Sequence, residues 1–281
     1  MKTYRTVLSI AGSDCSGGAG IQADLKTCTA LGVYGMTAIT ALTAQNTCGV
    51  SGAYVTDLSA LEAQLRMVAD DIVPDAVKTG MIPTAEHVRL VARFVSDYGL
   101  KNLVVDPVMV ATSGDRLCES EAKAAFLDEL LPLARVVTPN IPEAQELTGV
   151  QITDRASMLT AALELLKRTG CRAVLLKGGH GIEQNRHADL LLLGSEELKT
   201  DPTPGNFAEP VWLEHRHIET ENTHGTGCTL SSAIAAFLAR GYDVAESVRR
   251  AVSWLGKAIA SGAEYRLGHG HGPVNHLVDL L

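Results

Sequence analysis

The feature that most constrains this chain is a repeat of short apolar, β-favouring runs. Each stops at Gly, Asp, Asn or Lys and hands over to a segment with helical spacing. Thr6–Ala11 stops at the cluster Gly12–Gly20, and Ile21–Leu31 then places apolar residues on one helical face. Met36–Leu42 and Leu58–Asp70 repeat the pair, as do Ala76–Lys78 and Thr84–Tyr98. Leu103–Val105 ends in Asp106-Pro107 before a helix over Ser120–Leu131, and Arg135–Thr138 ends in Pro139-Asn140. Pro142 suits the first turn of a short helix reaching Thr148. Helix Ala156–Thr169, strand Ala173–Leu176 (ending in Lys177-Gly178-Gly179-His180) and strand Ala188–Leu193 follow. Glu196–Pro210 is polar and rich in Pro and Gly and reads as an exposed connection. Helices over Thr229–Ala239 and Val244–Ala260 close the chain, before an irregular tail at Gly268–Pro273. Such alternation predicts an α/β fold, with one mostly parallel central sheet and helices on both faces. No composition break interrupts residues 1–281, so a single domain is expected.

Chemistry in such a sheet gathers at the carboxyl ends of the strands. Gly12-Ser13-Asp14, Gln45-Asn46, Thr79-Gly80-Met81, Asp106, Asn140 and Lys177 all fall there and should converge along one edge. Composition narrows the partners. A net charge of −8 argues against nucleic acid and anionic membrane surfaces, which attract basic proteins. No run approaches the ~18 apolar residues of a membrane span. Six scattered cysteines, with no C-x-x-C pair, are neither a zinc pattern nor a disulfide framework, and place the chain in a reducing cytoplasm.

Asn222-Thr223-His224-Gly225-Thr226-Gly227-Cys228 runs straight into the apolar helix that follows. The first N–H groups of a helix have no intrahelical acceptor and gather partial positive charge. Glycine lets an anion approach them, so this turn reads as a phosphate or oxyanion cradle. Cys228 stands at its mouth, where a thiol's pKa is expected to fall. Gly18-x-Gly20-x-x-Ala23 formally fits a dinucleotide fingerprint, but the second strand ends in Thr43-Ala44-Gln45-Asn46 without the carboxylate that would hold a ribose. No G-x-x-x-x-G-K-[ST] occurs either. A different phosphate handler remains. Asp106 and Glu143 offer oxygen ligands for Mg²⁺ held largely through water, Asn140 and Glu143 share one face of a helical turn, and Lys177 supplies a point charge for a phosphoryl group. A cysteine hydrolase pairing Cys228 with His224 or His180 is the reading from another class.

These residues carry a resemblance. The glycine turn and its helix, Asn140-Ile141-Pro142-Glu143, Lys177-Gly178-Gly179-His180 and the stretch Gly12–Asp24 resemble the ribokinase superfamily. Asp75–Met81, Asp106–Val110 and Gly268–Pro273 are similar to its hydroxymethylpyrimidine/phosphomethylpyrimidine kinase branch, over nearly the whole chain. The resemblance implies a three-layer αβα ribokinase-like kinase domain, with ATP and Mg²⁺, working as a homodimer. It implies phosphorylation of the pyrimidine's hydroxymethyl group and then of the monophosphate, with pyridoxal kinase as the alternative within the branch. It further implies a pyrimidine pocket of Gly12, Asp24, Gln45, Met81 and Val108. ATP and its phosphates would meet Lys177, Asn140, Gly225 and Gly227. Cys228 would be the base, with the amides of Gly225, Thr226 and Gly227 facing the transferred phosphoryl group. Gln45, with both a donor and an acceptor, suits an aminopyrimidine edge.

Overall fold

A computed structural model describes residues 2–108, 121–179, 187–197 and 207–279. Nine strands form one sheet in the order β3-β2-β1-β4-β5-β6-β7-β8-β9. They are β1 Thr6–Asp14, β2 Tyr34–Asn46, β3 Gly49–Val55, β4 Ala76–Thr79, β5 Leu103–Val105, β6 Val136–Val137, β7 Ala173–Leu176, β8 His187–Leu193 and β9 Val211–His215. The central six, β2-β1-β4-β5-β6-β7, are mutually parallel. The flanks are antiparallel: β3 folds back on β2, β8 on β7 and β9 on β8.

The central strands are mostly apolar because both their faces are covered. On one face Leu8, Ile10, Val77, Leu103, Val105, Val137, Val174 and Leu176 join a core closed by α2 (Leu58–Ala69), α3 (Ala85–Asp97), α4 (Ala122–Ala125), α5 (Ile141–Thr148) and α6 (Arg155–Thr169). On the other, Val7, Val104, Val136, Ala173 and Leu175 meet α1 (Gly20–Ala30), α7 (Thr226–Ala239) and α8 (Val244–Gly262). The predicted helix at 120–131 is cut short. Ser120 lies outside the described residues, and α4 passes at Phe126–Leu130 into a π-turn and then a 3₁₀ turn at Leu131–Leu133, whose Pro132 cannot continue an α-helix.

Two strands are additions to the sequence reading. β3, Gly49–Val55, holds two glycines and keeps most of its side chains in solvent, so it lacks the buried alternation that marks a strand. β9 follows the predicted connection, whose residues 198–206 lie outside the described set. Strand order reverses at β1, flanked by β2 on one side and β4 on the other. The crevice of a doubly wound sheet opens at such a reversal.

Candidate active site

The loop after β1 is organised by one carboxylate. Asp14 accepts from the amides of Ser16, Gly18 and Ala19, from Ser16 Oγ and from His224 Nε2 at 2.8 Å. Burial pushes this carboxyl up, but the hydrogen bonds from His224, Ser16 and Ala19 together hold it well below the usual range. His224 also meets Gln45 Nε2 at 3.1 Å. Gly18 has to be glycine, because a Cβ would sit 2.4 Å from the His224 ring. Beside them lie Gly12 and Met81, whose sulphur is 3.2 Å from where a Gly12 side chain would begin. Val108 is half-buried just past the end of β5, while Met109 and Val110 of the same motif lie outside the described residues.

The tail Gly268–Pro273 is anything but loose. His271 N–H donates to Thr47 O, and the Gly270 amide reaches Thr47 Oγ1, tying the tail to the β2–β3 turn. His224 N–H donates to Gly272 O, so tail, hairpin and glycine turn close one side of the cleft together.

A second cluster stands farther along the edge. Asp106 Oδ1 accepts from Lys177 Nζ at 3.0 Å and from Thr138 Oγ1 at 3.1 Å. Asn140 and Glu143 form a capping box at the start of α5: the Glu143 amide donates to Asn140 Oδ1 and the Asn140 amide to Glu143 Oε2, each at 2.8 Å. Their shared face thus holds them to each other. Among the described residues the Asn140 side-chain NH₂ has no acceptor. Burial, with Asp106 adding to it, pushes the Glu143 carboxyl up to about 7 against the pull of Lys177 4.0 Å away. Burial works against the Lys177 charge, but Asp106 and Glu143 hold it above the ordinary lysine range. Asp106 and Glu143 are oxygen donors of the kind that a Mg²⁺ retaining several waters would take. No group of three or more His, Cys, Asp or Glu side chains that could hold a metal exists among the described residues.

Between the two clusters α7 begins. Gly225 caps it at φ +80°, and a Cβ there would lie 1.9 Å from Gly18 O, so both the backbone and the packing demand glycine. No side chain caps this helix. Thr226 N–H is bonded to Thr223 O at 3.3 Å. Among the described residues the amides of Gly225, Gly227 and Cys228 have no acceptor, so the open donors include Cys228's own amide and not that of Thr226. A Cβ on Gly227 would lie 3.5 Å from both Asp106 Oδ2 and Lys177 Nζ. Gly20 packs on Gly12 O, and Gly20, Lys78, Asp24 and Asp106 all lie near enough to Cys228 to act on its thiol. Gly225 thus sits against the first cluster, at Gly18, and Gly227 against the second.

The chain matches the family model described as phosphomethylpyrimidine kinase over residues 14–275. The chain belongs to that family. It is 48% identical to the hydroxymethylpyrimidine/phosphomethylpyrimidine kinase of Rhizobium meliloti over 96% of both chains. Among solved structures it resembles an ADP complex of Bacillus subtilis pyridoxal kinase, with TM-score 0.85, 35% identity and 99% of each chain covered. It also resembles the phosphomethylpyrimidine kinase of Clostridium difficile 630, with TM-score 0.75 and 40% identity over 91% of this chain and 99% of that one. The fold is the ribokinase-like one, and the chain is a phosphotransferase of the phosphomethylpyrimidine kinase family.

Within this family member, two expectations change. Asp24 is 1% exposed, and its oxygens are filled by Lys78 Nζ (2.9 Å to each), Ser9 Oγ and Ser232 Oγ. Four hydrogen bonds from these three groups occupy its oxygens, so it anchors a buried ion pair under the cleft. The Cys228 thiol is pushed up to about 11, not down: burial dominates, Asp24 and Asp106 add to it, and Lys78 and the Gly20 amide only partly offset them. The hydrolase pairing loses one of its two candidate bases. His224 is engaged by Asp14 and Gln45, and His180 lies outside the described residues. Sequence reasoning left Asp14 and Lys78 without roles. A lysine alternating with apolar residues in β4 was the available signal for the second.

Proposed function

We propose that this kinase transfers the γ-phosphoryl group of ATP to the hydroxymethyl group of 4-amino-5-hydroxymethyl-2-methylpyrimidine. It then phosphorylates the monophosphate to the diphosphate, in thiamine diphosphate biosynthesis. The observation that carries this reading is the start of α7. Gly225 packs against Gly18 of the first loop while Gly227 abuts the Asp106–Lys177 pair, so open amides lie between the loop held by Asp14 and the phosphate cluster.

In this reading Gln45 meets the aminopyrimidine edge, and Met81, Gly12 and Val108 flank the ring. Lys177 and the Asn140 side-chain amide hold the donor's phosphates, and Asp106 and Glu143 would hold a Mg²⁺, which would supply charge neutralisation for those phosphates. The substrate alcohol attacks the γ-phosphorus, ADP leaves, and the alcohol's proton goes to the Cys228 thiolate. The amides of Gly225, Gly227 and Cys228 face the charge developing on the equatorial oxygens. Phosphoryl transfer has a loose transition state and relies mainly on positioning and charge. Turnover is expected to rise with pH beyond neutrality, since the base must be deprotonated to act.

Product analysis with ATP, Mg²⁺ and hydroxymethylpyrimidine tests this directly: both mono- and diphosphate are expected, and absence of either phosphate sinks the reading. Likeness to a pyridoxal kinase at TM-score 0.85 favours pyridoxal as the second reading. A strong pyridoxal preference in side-by-side ATP consumption would replace the first. The whole chain acts as one kinase domain in the cytoplasm, where its five described cysteines, all free thiols, stay reduced. It pairs as a homodimer over the exposed Leu42, Tyr54 and Val55 of the edge hairpin. A monomeric mass in sedimentation would remove the last point.

A further inference from the structure

The carboxylate that organises the first loop also decides where a proton sits. Asp14 Oδ1 accepts from the Ser16 amide and hydroxyl, and Oδ2 from the amides of Gly18 and Ala19. Backbone N–H groups only donate, so both oxygens must accept and the carboxyl carries no hydrogen. His224 Nε2, 2.8 Å from Oδ2, therefore holds the ring hydrogen and donates it.

That nitrogen lies 3.1 Å from the Nε2 position of the Gln45 amide, whose Oε1 position lies 3.2 Å from Thr43 Oγ1. Half a turn about the last side-chain bond exchanges the two amide atoms and moves nothing else, so their partners decide which stands where. At the His224 end, an N–H can share its hydrogen with a second acceptor but cannot accept. That end calls for the amide oxygen. At the other end, Thr43 has one hydroxyl hydrogen, and Ser13 O, at 2.9 Å, is its nearer acceptor. Thr43 then turns a lone pair toward Gln45, which calls for the NH₂. Each end requires the same orientation independently of the other. The reverse sets N–H against N–H and lone pair against lone pair. His224 is 8% exposed and Thr43 9%, so little water reaches the site to relieve such a mismatch.

We propose that His224, held by Asp14, and Thr43 are positioning residues that lock the Gln45 amide with its oxygen on the His224 side and its nitrogen on the Thr43 side. The proposal rests on the pyrimidine reading above and adds how the site tells one pyrimidine edge from another. Each amide atom has two hydrogen-bonding positions and spends one on its anchor. One acceptor position on the oxygen and one hydrogen on the nitrogen remain for the ligand. They match an exocyclic amino group beside an unprotonated ring nitrogen. A 4-oxo pyrimidine presents the reverse, a carbonyl beside a ring N–H. To meet it the amide must break both anchors, or the ring must turn over, which carries the hydroxymethyl group to the opposite side.

Two measurements test the lock. In isotope-labelled wild type without ligand, the Gln45 NH₂ hydrogens are expected to show nuclear Overhauser contacts to the Thr43 methyl group; contacts to the His224 ring instead overturn the proposal. The second measurement compares kcat/KM for hydroxymethylpyrimidine and its 4-oxo analogue in wild type, His224→Leu and Thr43→Val. Wild type is expected to favour the amino compound, and each variant to narrow that preference about 5- to 150-fold, the range for one mispaired buried group. A residue that only supports the fold lowers both rates alike, so an unchanged ratio in either variant overturns the lock. Thr43→Val leaves the Asp14 shell intact and keeps the test decisive where His224→Leu fails to fold. Wild type that phosphorylates neither pyrimidine overturns the pyrimidine reading, while the Overhauser contacts still decide how the amide is held.

Discussion

Two helices begin at the same edge of the sheet and are finished in opposite ways. α5 starts with a complete capping box, in which Asn140 and Glu143 satisfy each other's backbone. α7 starts at Gly225, with no side-chain cap and three amides that have no acceptor among the described residues. A side-chain cap is worth about 1 kcal/mol to a helix. Leaving α7 uncapped forgoes that stability and keeps preset donors free for a ligand. The closed start does the complementary job: it fixes the Glu143 carboxylate and the Asn140 NH₂ in place while spending their backbone-facing atoms internally. One end is built to be filled and the other to hold still.

The largest effects are expected at the open end. Cys228→Ala should lower kcat by about 10²–10⁴-fold, the usual share of a general base. Steady-state turnover near wild type would remove the sulphur from the mechanism. Gly225→Ala forces a Cβ onto Gly18 O and a side chain onto φ +80°. Displacing even one amide donor of this kind is expected to cut kcat about 10²–10³-fold. A variant with intact kcat would mean that those amides do not face the reacting phosphate.

The closed end should respond through charge. Glu143's folded pKa of about 7 stands above its ordinary value, so the folded state prefers the protonated carboxyl. That preference stabilises the protein at low pH and is lost as pH rises from the ordinary carboxyl range through about 7. Without Mg²⁺ the wild-type Tm should therefore fall between pH 5 and 8 more than that of Glu143→Gln. Added Mg²⁺ should restore it at pH 8 and do little at pH 5. Parallel melting curves for the two proteins would detach Glu143 from the cation. The smallest effects compare caps with each other. Asn140→Ala and Asp243→Ala each remove a side chain that caps a helix start, and each should cost about 1 kcal/mol in denaturant unfolding. Only Asn140→Ala should also raise the KM for ATP; an equal effect from Asp243→Ala would reduce Asn140 to a cap.

Much of the scaffold was legible because buried parallel strands announce themselves. Leu103–Val105 and Ala173–Leu176 have the predicted bounds, and the residues just past them, Asp106 and Lys177, do meet. β3 and β9 were not legible, since an edge strand with one face in water carries little apolar pattern. Asp24 was misplaced because a carboxylate near a glycine loop looks the same whether it faces a ligand or a buried lysine 54 residues away. His224 entered as a partner for the thiol because the two are close in sequence, and Asp14, 210 residues away, claimed it instead.

What the amino-acid order determined by itself is local: where strands stop, where glycine is obligatory, and which helix starts without a cap. Those follow from backbone sterics and from polar groups that must find partners within a few residues. Which way the thiol's pKa moves, and whether a carboxylate is free or spent, was decided by tertiary structure. Desolvation and charge at Cys228 come from Lys78, Asp24 and Asp106, residues that only the closed sheet brings beneath one helix end.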